Sequence, residues 1–492
     1  MHNEASIPLH SPDPDPKFPS PSAPAPPFSP AVTALAAALL LVCLLFLAWL
    51  HLSVPPVNRV ASPGRALALV VGRTMELEES LAGAAMWERW LYYMTIETGA
   101  DAVEQAIIWY DELVALTDDP LAHLQSAVLQ GEAGRLQRLE NTRDQWRHRP
   151  DPFPFFADVI GAAYLEGDVR PEQGIALQAR LAEVLPLGWF YDRLAINIAE
   201  RAGNAAFADT FRSALAARSA PLLRRLRILT AVELAVMGAG LIGCILLMNL
   251  IRRTRRSRLT IGAAPIPPPW RGRTGVAVLI RGGSFGMIIT LAFLFLDVNN
   301  PWLRLTAMPL ASLPLLSMAS RHLFQPHRWD VCNGLGLRPV TSGWRHLPPA
   351  LLALLGAGLI GEWLVGVVTE WLNLSSHWIE WFDADLVWGD GLLMTMSLIE
   401  FVMYAPLFEE IAFRGLLYGT LRRRFGCGLS AVASAGIFAA AHGYGWVGFT
   451  SVFWSGLLWA WMYEKTGSLL PGILAHALNN LLVCMTVIWL LR

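Results

Sequence analysis

The chain has 492 residues, of which 54% are hydrophobic and only 16% are charged. Soluble globular proteins carry about 25% charged residues, so this composition argues against an ordinary soluble protein. The formal net charge of −1 gives no indication of nucleic-acid binding, so no nucleic-acid partner is expected, and the five cysteines lack the spacing of metal ligands.

The beginning of the chain changes abruptly from proline-rich to apolar. Residues 1–30 contain ten of the 33 prolines. Proline at this density breaks helices and removes backbone donors, so we predict a disordered tail. Residues 31–54 form a continuous, uncharged apolar run, which is long enough to cross a hydrocarbon layer of about 30 Å. We therefore predict a first transmembrane helix over residues 31–54.

Charged residues and helical periodicity return in residues 55–225. Three Ala-x-x-x-Gly segments, at 127–131, 163–167 and 199–203, recur at steps of 36 residues. A glycine at a helix end accepts the left-handed turn. The pattern is similar to tetratricopeptide-type helical hairpins, whose usual period is about 34 residues. We therefore predict an inserted extramembrane, tetratricopeptide-like helical domain that binds a peptide or protein partner. An irregular helical domain is the alternative.

The charges next to the second apolar run predict the topology. A transmembrane helix is expected over residues 230–251, followed by a basic and Pro/Gly-rich linker over 252–274. Five arginines between residues 252 and 258 mark a cytoplasmic side by the positive-inside rule. The N-terminus is then cytoplasmic, and the helical domain is extracytoplasmic, in a multi-pass protein of the cell membrane.

Residues 275–492 are predicted to be a helical membrane core. Further apolar runs bring the expected number of spans to nine; they cover 275–296, 303–319, 350–372, 391–408, 429–443, 446–463 and 471–491. The arginine-rich loop 320–349 should be cytoplasmic. The loop 373–390 has four acidic residues and no Lys or Arg, so it should lie outside, with its three tryptophans in the membrane interface. The predicted fold class is an all-α polytopic membrane protein.

Residues 408–415 place two carboxylates and an arginine inside an apolar helix. Charged side chains are costly inside a bilayer, so these should face a protein interior or an aqueous cavity. Glu410 and Arg414 are four residues apart, so they share a helix face and can pair. Glu409 lies about 140° from Arg414 around the helix. We predict that Glu410 and Arg414 form a structural pair, that Glu409 is reactive, and that Pro406 frees a backbone carbonyl.

Two later apolar segments carry His442, and His476 with Asn480 one helical turn further on. A glutamate near a histidine can deprotonate water for attack on a carbonyl, while His and Asn donors stabilise the oxyanion. Alternatively, Glu409, His442 and His476 form an open three-ligand site for a divalent metal such as zinc. Both routes end in peptide-bond hydrolysis, and the residues alone do not choose between them.

The ordered set of polar residues resembles the motifs of a known family, the CAAX-protease and bacteriocin-processing (CPBP, or Abi) intramembrane endopeptidases, which include Rce1-type prenyl proteases. The similar segments are Glu409-Glu410-x-x-x-Arg414, Phe438-x-x-x-His442 and His476-x-x-x-Asn480. The resemblance covers about residues 391–492, and it implies a helical membrane core that cleaves peptides.

The same resemblance implies a role for each residue. Glu409 would activate water with help from His442. His476 and Asn480 would hold the oxyanion or a metal. Lipid and a peptide or protein substrate are the partners implied.

Two other classes of function are also hypotheses. The chain could be a non-catalytic membrane adaptor or immunity-type scaffold that acts through its helical domain. It could also be a transporter with Glu and His as proton relays, although no inverted repeat is evident.

Overall fold

The computed structural model describes residues 28–95, 102–254, 259–296 and 300–492. Every regular element within these ranges is helical, which confirms the predicted all-α fold class. The predicted tail covers residues 1–30. Of these, residues 1–27 lie outside the described part of the chain. Three of the arginines used to predict topology also lie outside it; they are Arg255, Arg256 and Arg258.

Ten helices precede the membrane core. Their bounds are α1 Pro30–Ser53, α2 Pro63–Ala82, α3 Met86–Thr95, α4 Ala102–Leu116, α5 Pro120–Glu132, α6 Leu136–Trp146, α7 Phe153–Ile160, α8 Pro171–Val184, α9 Trp189–Arg201 and α10 Ala205–Thr254. The predicted boundary at residue 225 is absent, because α10 runs without interruption from the helical domain into the apolar span. Pro221 lies inside this helix; it removes one backbone donor but does not end the helix.

The helical domain consists of consecutive helices that pack on their neighbours, as α4 does on α5, α6 on α7 and α8 on α9. The predicted left-handed glycine is found at Gly203, with φ of 69°. After α5 the same conformation is adopted by Gly134, not Gly131. A β-carbon on Gly131 would lie 2.7 Å from the Tyr164 ring, so this glycine is required by packing. The tetratricopeptide-like assignment stays a prediction.

Seven longer helices form the membrane core. They are α11 Gly272–Phe295, α12 Ala307–Ala319, α13 Leu347–Trp371, α14 Gly391–Leu421, α15 Cys427–His442, α16 Trp446–Thr466 and α17 Leu470–Leu491. Short helical turns at 301–305, 331–334 and 384–388 lie between them. Two segments of α14 are π-helical, at 400–404 and 410–418.

Six helices in the described part of the chain are long and apolar enough to cross a membrane: α1, α10, α11, α13, α14 and α17. The prediction of a multi-pass membrane protein is confirmed at this level, but the count of nine spans is not. The 13 residues of α12 continue as a π-helical turn over 320–324 and are not among the six, and α15 has only 16 residues. The remaining helix, α16, is not among the six.

The predicted linker is part of the packed core. Backbone N–H groups of Leu259, Ile261 and Ala264 donate to carbonyls of residues 465–467, and Val340 N–H donates to the Ile261 carbonyl. Ile261 is fully buried. Segments that were predicted to share the cytoplasmic side therefore lie together at one end of the core, which we call the base. Just before α17, Leu469 N–H donates to the Leu335 carbonyl of the loop 320–349.

The helical domain and the opposite end of the core share one hydrophobic cluster. Buried side chains of α2 and of α4 to α10 pack with those of the loop 373–390 and with Val487 and Leu491 near the end of α17. His377 Nε2 lies 3.0 Å from Glu112 Oε2 on α4. Trp378 is fully buried in this cluster, so its predicted place in the membrane interface is wrong. The loop 373–390 therefore connects the helical domain to the membrane core.

Glycines allow α10 and α13 to approach closely in the membrane core. A β-carbon on Gly240 would overlap Gly356 Cα, and one on Gly243 would lie 2.8 Å from Ala353 N. Small residues let transmembrane helices pack backbone to backbone, where dispersion replaces the hydrophobic effect. By contrast, a β-carbon on Gly238, one half-turn away on α10, meets no atom within 4 Å.

We expect Gly240→Ala to lower the unfolding temperature of the purified protein, because backbone atoms of α13 must move. Overpacking of this kind costs about 1–3 kcal/mol. Gly238→Ala is the matched control: it makes the same chemical change on the same helix and should leave the unfolding temperature unchanged or slightly raised. Equal effects of the two substitutions would contradict the close approach of α10 and α13.

Candidate functional site

A proline-exposed carbonyl joins the two helices that carry the site. In the first π-helical segment of α14 each N–H bonds the carbonyl five residues earlier, as Ala405 N does with Glu400 O. The next carbonyl, that of Phe401, would need the N–H of residue 406, which is proline. Asn480 Nδ2 of α17 donates to it instead, at 2.9 Å. Pro406 thus frees the Phe401 carbonyl, and Asn480 uses it to fix α17 against α14.

The centre of the site is a buried ion pair. Arg414 Nη1 donates to Glu410 Oε1 at 2.8 Å, and both side chains are almost completely buried. The guanidinium lies over the Phe438 ring, 4.0 Å from its centroid, and 5.0 Å from the centroid of a Trp459 ring. Gly456 of α16 leaves the space, because a β-carbon there would lie 2.8 Å from Arg414 Nη2. Aromatic faces attract a desolvated guanidinium, so they replace part of its lost hydration.

His476 lies between the two adjacent carboxylates. Its Nε2 is 3.8 Å from Glu409 Oε2, and its Nδ1 is 3.4 Å from Glu410 Oε1. The imidazole stacks on Trp459, with ring centroids 4.2 Å apart and planes at 19°. This contact fixes the ring plane. Glu409 keeps 25% of its side chain exposed, so it is the carboxylate of the pair that outside molecules can reach.

His442 is the last residue of α15, and its ring is held by its own helix. The Nδ1 atom lies 2.8 Å from the Phe438 carbonyl oxygen. A carbonyl only accepts, so Nδ1 carries the hydrogen and Nε2 carries the lone pair. The Phe438 ring contacts the rings of both His442 and His476, at 4.7 and 6.0 Å between centroids. Within the described residues His442 does not contact Glu409 directly.

Several atoms of this cluster have hydrogen-bonding capacity that no group in the described part of the chain meets. These buried atoms are Glu409 Oε2, Glu410 Oε2, Arg414 Nε, Arg414 Nη2 and His476 Nδ1. Leaving a buried polar atom unbonded costs about 1–3 kcal/mol, and more for a charged group. Buried polar atoms in native proteins are usually bonded to protein or to ordered water, so these are the atoms of the cluster to which water can bond.

The predicted metal ligands do not form a metal site in this arrangement. No group of three or more His, Cys, Asp or Glu side chains in the described ranges could hold a metal ion. Glu409 and His476 face each other, and the bond of His442 Nδ1–H to the Phe438 carbonyl leaves Nε2 with its lone pair, but the three side chains do not form such a group. A zinc site needs three such donors at about 2.0–2.3 Å from one point. The zinc alternative is therefore not supported by the placement of these residues.

Sequence analysis did not identify the residues that surround His442. Gly443 ends α15 in the left-handed conformation, with φ of 66°. The Tyr444 ring then lies 5.4 Å from the His442 ring. Glu380 of the loop 373–390 accepts a hydrogen bond from Gly445 N at 2.9 Å. The only signal was the acidic character of that loop, and nothing in the sequence links it to residue 445. Trp459 was missed as well, because an apolar helix contains many equivalent aromatics.

We expect Arg414→Ala to destabilise the protein strongly, because it leaves Glu410 buried without a partner charge. Breaking a buried pair in this way costs about 3–5 kcal/mol. The control is Arg138→Ala, which removes a pair with Asp111 in which both side chains are exposed. Such a surface pair is worth about 0–1 kcal/mol. Thermal unfolding of the detergent-solubilised protein measures both, and similar small losses would contradict the buried pair.

We also expect Glu380→Ala to loosen the turn that follows His442, because Gly445 N loses its acceptor. Hydrogen exchange of the amides of residues 443–449 should become faster. Asp385→Ala is the control: it removes a carboxylate of the same loop, which pairs with Arg304 at 2.9 Å and does not bond this turn. Unchanged exchange in Glu380→Ala would show that the contact does not hold the turn.

Comparison with known proteins assigns this part of the chain to a family. Residues 391–482 match the family model described as type II CAAX prenyl endopeptidase Rce1-like. No curated protein and no solved structure matches the chain significantly. The matched range contains every residue predicted for the site: Glu409, Glu410, Arg414, His442, His476 and Asn480. The predicted family is confirmed, and residues 391–482 of this membrane protein form an Rce1-like type II CAAX prenyl endopeptidase domain.

Proposed function

We propose that this protein is an intramembrane endopeptidase, in which Glu409 and the neighbouring histidines activate a water molecule to hydrolyse peptide bonds of membrane-associated proteins or peptides. The observation that supports this most is the placement of Glu409 beside His476, with Oε2 and Nε2 3.8 Å apart, inside the domain that matches the protease family. A purely structural ion pair would require Glu410 and Arg414 alone.

The ion pair divides the work between the two glutamates. Arg414 is hydrogen-bonded to Glu410, so it does not neutralise the charge of Glu409 by direct pairing. Glu409 takes a proton from water as the oxygen attacks the scissile carbonyl carbon. The tetrahedral intermediate then collapses with cleavage of the C–N bond, and the proton held by Glu409 passes to the leaving amine. This is general base and then general acid catalysis by one carboxylate.

The two histidines have different parts in this mechanism. His442 presents the lone pair of Nε2, because Nδ1 is committed to the Phe438 carbonyl, and it orients the attacking water. His476 directs Nε2 towards Glu409, where an N–H can donate to the oxyanion that forms. Asn480 has one N–H on Phe401, and its second N–H is the donor for the predicted oxyanion role.

The helical domain suggests how substrate reaches the site. Its core continues into the loop 373–390, and Glu380 of that loop bonds the turn after His442. We propose that this tetratricopeptide-like domain is extracytoplasmic, with the N-terminus cytoplasmic, and that it presents a peptide or protein substrate to the membrane core. The surrounding bilayer is the other partner.

The shared core also favours the second candidate, a non-catalytic adaptor or immunity-type scaffold that acts through the helical domain. Deleting residues 55–225 would not separate the two functions cleanly, because it would expose the buried Trp378 and disturb the core. A substitution confined to the reacting carboxylate separates them, since it leaves the helical domain intact.

We expect Glu409→Gln to reduce peptide cleavage by the purified protein in liposomes by about 10²–10⁴-fold, which is the usual contribution of a general base. A peptide library with and without a prenylated cysteine serves as substrate. The control is Glu400→Gln, which makes the same change in the same helix. Both variants should insert and unfold like the parent protein. Full cleavage by Glu409→Gln would remove the proposed mechanism and favour the adaptor.

A further inference from the structure

Helix α3 exposes three large apolar side chains in its first half. Met86, Trp87 and Trp90 are 78%, 69% and 63% exposed. A single exposed hydrophobic residue is ordinary in any protein. Three large ones on a helix of ten residues form a patch, and such patches mark an interaction surface.

Contacts between the opposite face of α3 and α10 fix the position of α3 along the length of α10. Glu88 makes a two-pronged ion pair with Arg227 of α10, at 2.5 and 3.1 Å, and the buried Tyr92 packs with Leu226. The next residue of α10, Ile228, is the first large apolar side chain of that helix to be exposed. The patch on α3 therefore lies level with the point where the lipid-facing surface of α10 begins.

The neighbours of α3 mark the same level. α3 contacts α13, the helix that ends at Trp371, which is 81% exposed. Trp49 near the end of α1 and Trp446 at the start of α16 are also exposed, at the end of the core away from the base. Tryptophan is enriched at the boundary between water and membrane, because its ring is amphipathic.

We propose that α3 lies in the membrane interface, with Met86, Trp87 and Trp90 inserted between lipid headgroups and acyl chains. The patch lies level with the start of the exposed apolar surface of α10, a helix long and apolar enough to cross a membrane. An interfacial helix buries its apolar face about 5–10 Å into this boundary. The exposed Arg89 on the same helix reaches the phosphates. The helical domain is thereby seated on the bilayer surface and cannot swing freely above the membrane core.

Photo-cross-linking of the full chain tests this proposal. A benzophenone amino acid replaces Trp87 or Trp90, and the protein is reconstituted in vesicles of phosphatidylethanolamine and phosphatidylglycerol. Leu241, exposed on the transmembrane part of α10, is the positive control. Ile175 is the negative control: it is exposed to a similar degree on α8, a helix of the same domain that packs on α9. Intact-mass analysis counts the adducts.

We expect lipid adducts at positions 87 and 90 with a yield close to that at 241, and several-fold lower yield at 175. Yields at 87 and 90 as low as at 175 would overturn the proposal, because the patch would then face water. A cross-linked dimer in place of lipid adducts would also overturn it and assign the patch to a second copy of this chain. Each variant must insert into the vesicles as the parent does, which is checked by its co-flotation with the vesicles, and the outcome does not depend on protease activity.

Discussion

The buried pair of Glu410 and Arg414 is the interaction on which the site depends. Charges without partners are expensive in a membrane core, so the pair needs direct contact and aromatic surroundings to persist there. Four helices provide these surroundings: α14 carries both charges, α15 contributes Phe438, α16 contributes Trp459 and α17 contributes His476. The pair thus fixes the relative placement of four helices and, at the same time, leaves Glu409 without a direct cationic partner.

The irregular backbone of α14 is the second feature on which the site depends. The π-helical segments of α14 shift the hydrogen-bond register on either side of residues 405–409. One carbonyl is left without a backbone donor at Pro406, and a side chain of α17 meets this need. A unique polar contact in an apolar bundle selects one alignment of two helices, where apolar packing alone would allow several. The proline and the asparagine therefore belong to one structural unit, although 74 residues separate them.

The helical domain is not a passive insertion. Its core includes Trp378 and the end of α17, and the loop that carries Trp378 also contacts the turn after His442 through Glu380. At the base, Leu469 N–H donates to the Leu335 carbonyl just before α17 begins, and His476 lies buried less than two turns from that start. Both ends of the last helix are thus enclosed by segments from earlier in the chain.

Residue type and spacing were enough to identify a multi-pass membrane protein and the family of residues 391–482, while the roles of the site residues stay predictions. Length and hydropathy identified the long spans. The spacing of four residues between Glu410 and Arg414 placed both side chains on one helix face, because helix geometry is local. The short spans stay predictions, since 13 to 16 apolar residues fit a buried helix as well as a crossing one. Only the tertiary structure decided which histidine lies beside Glu409, where Asn480 donates, and that Trp378 is buried. These are contacts between segments far apart in sequence, and no local periodicity encodes them.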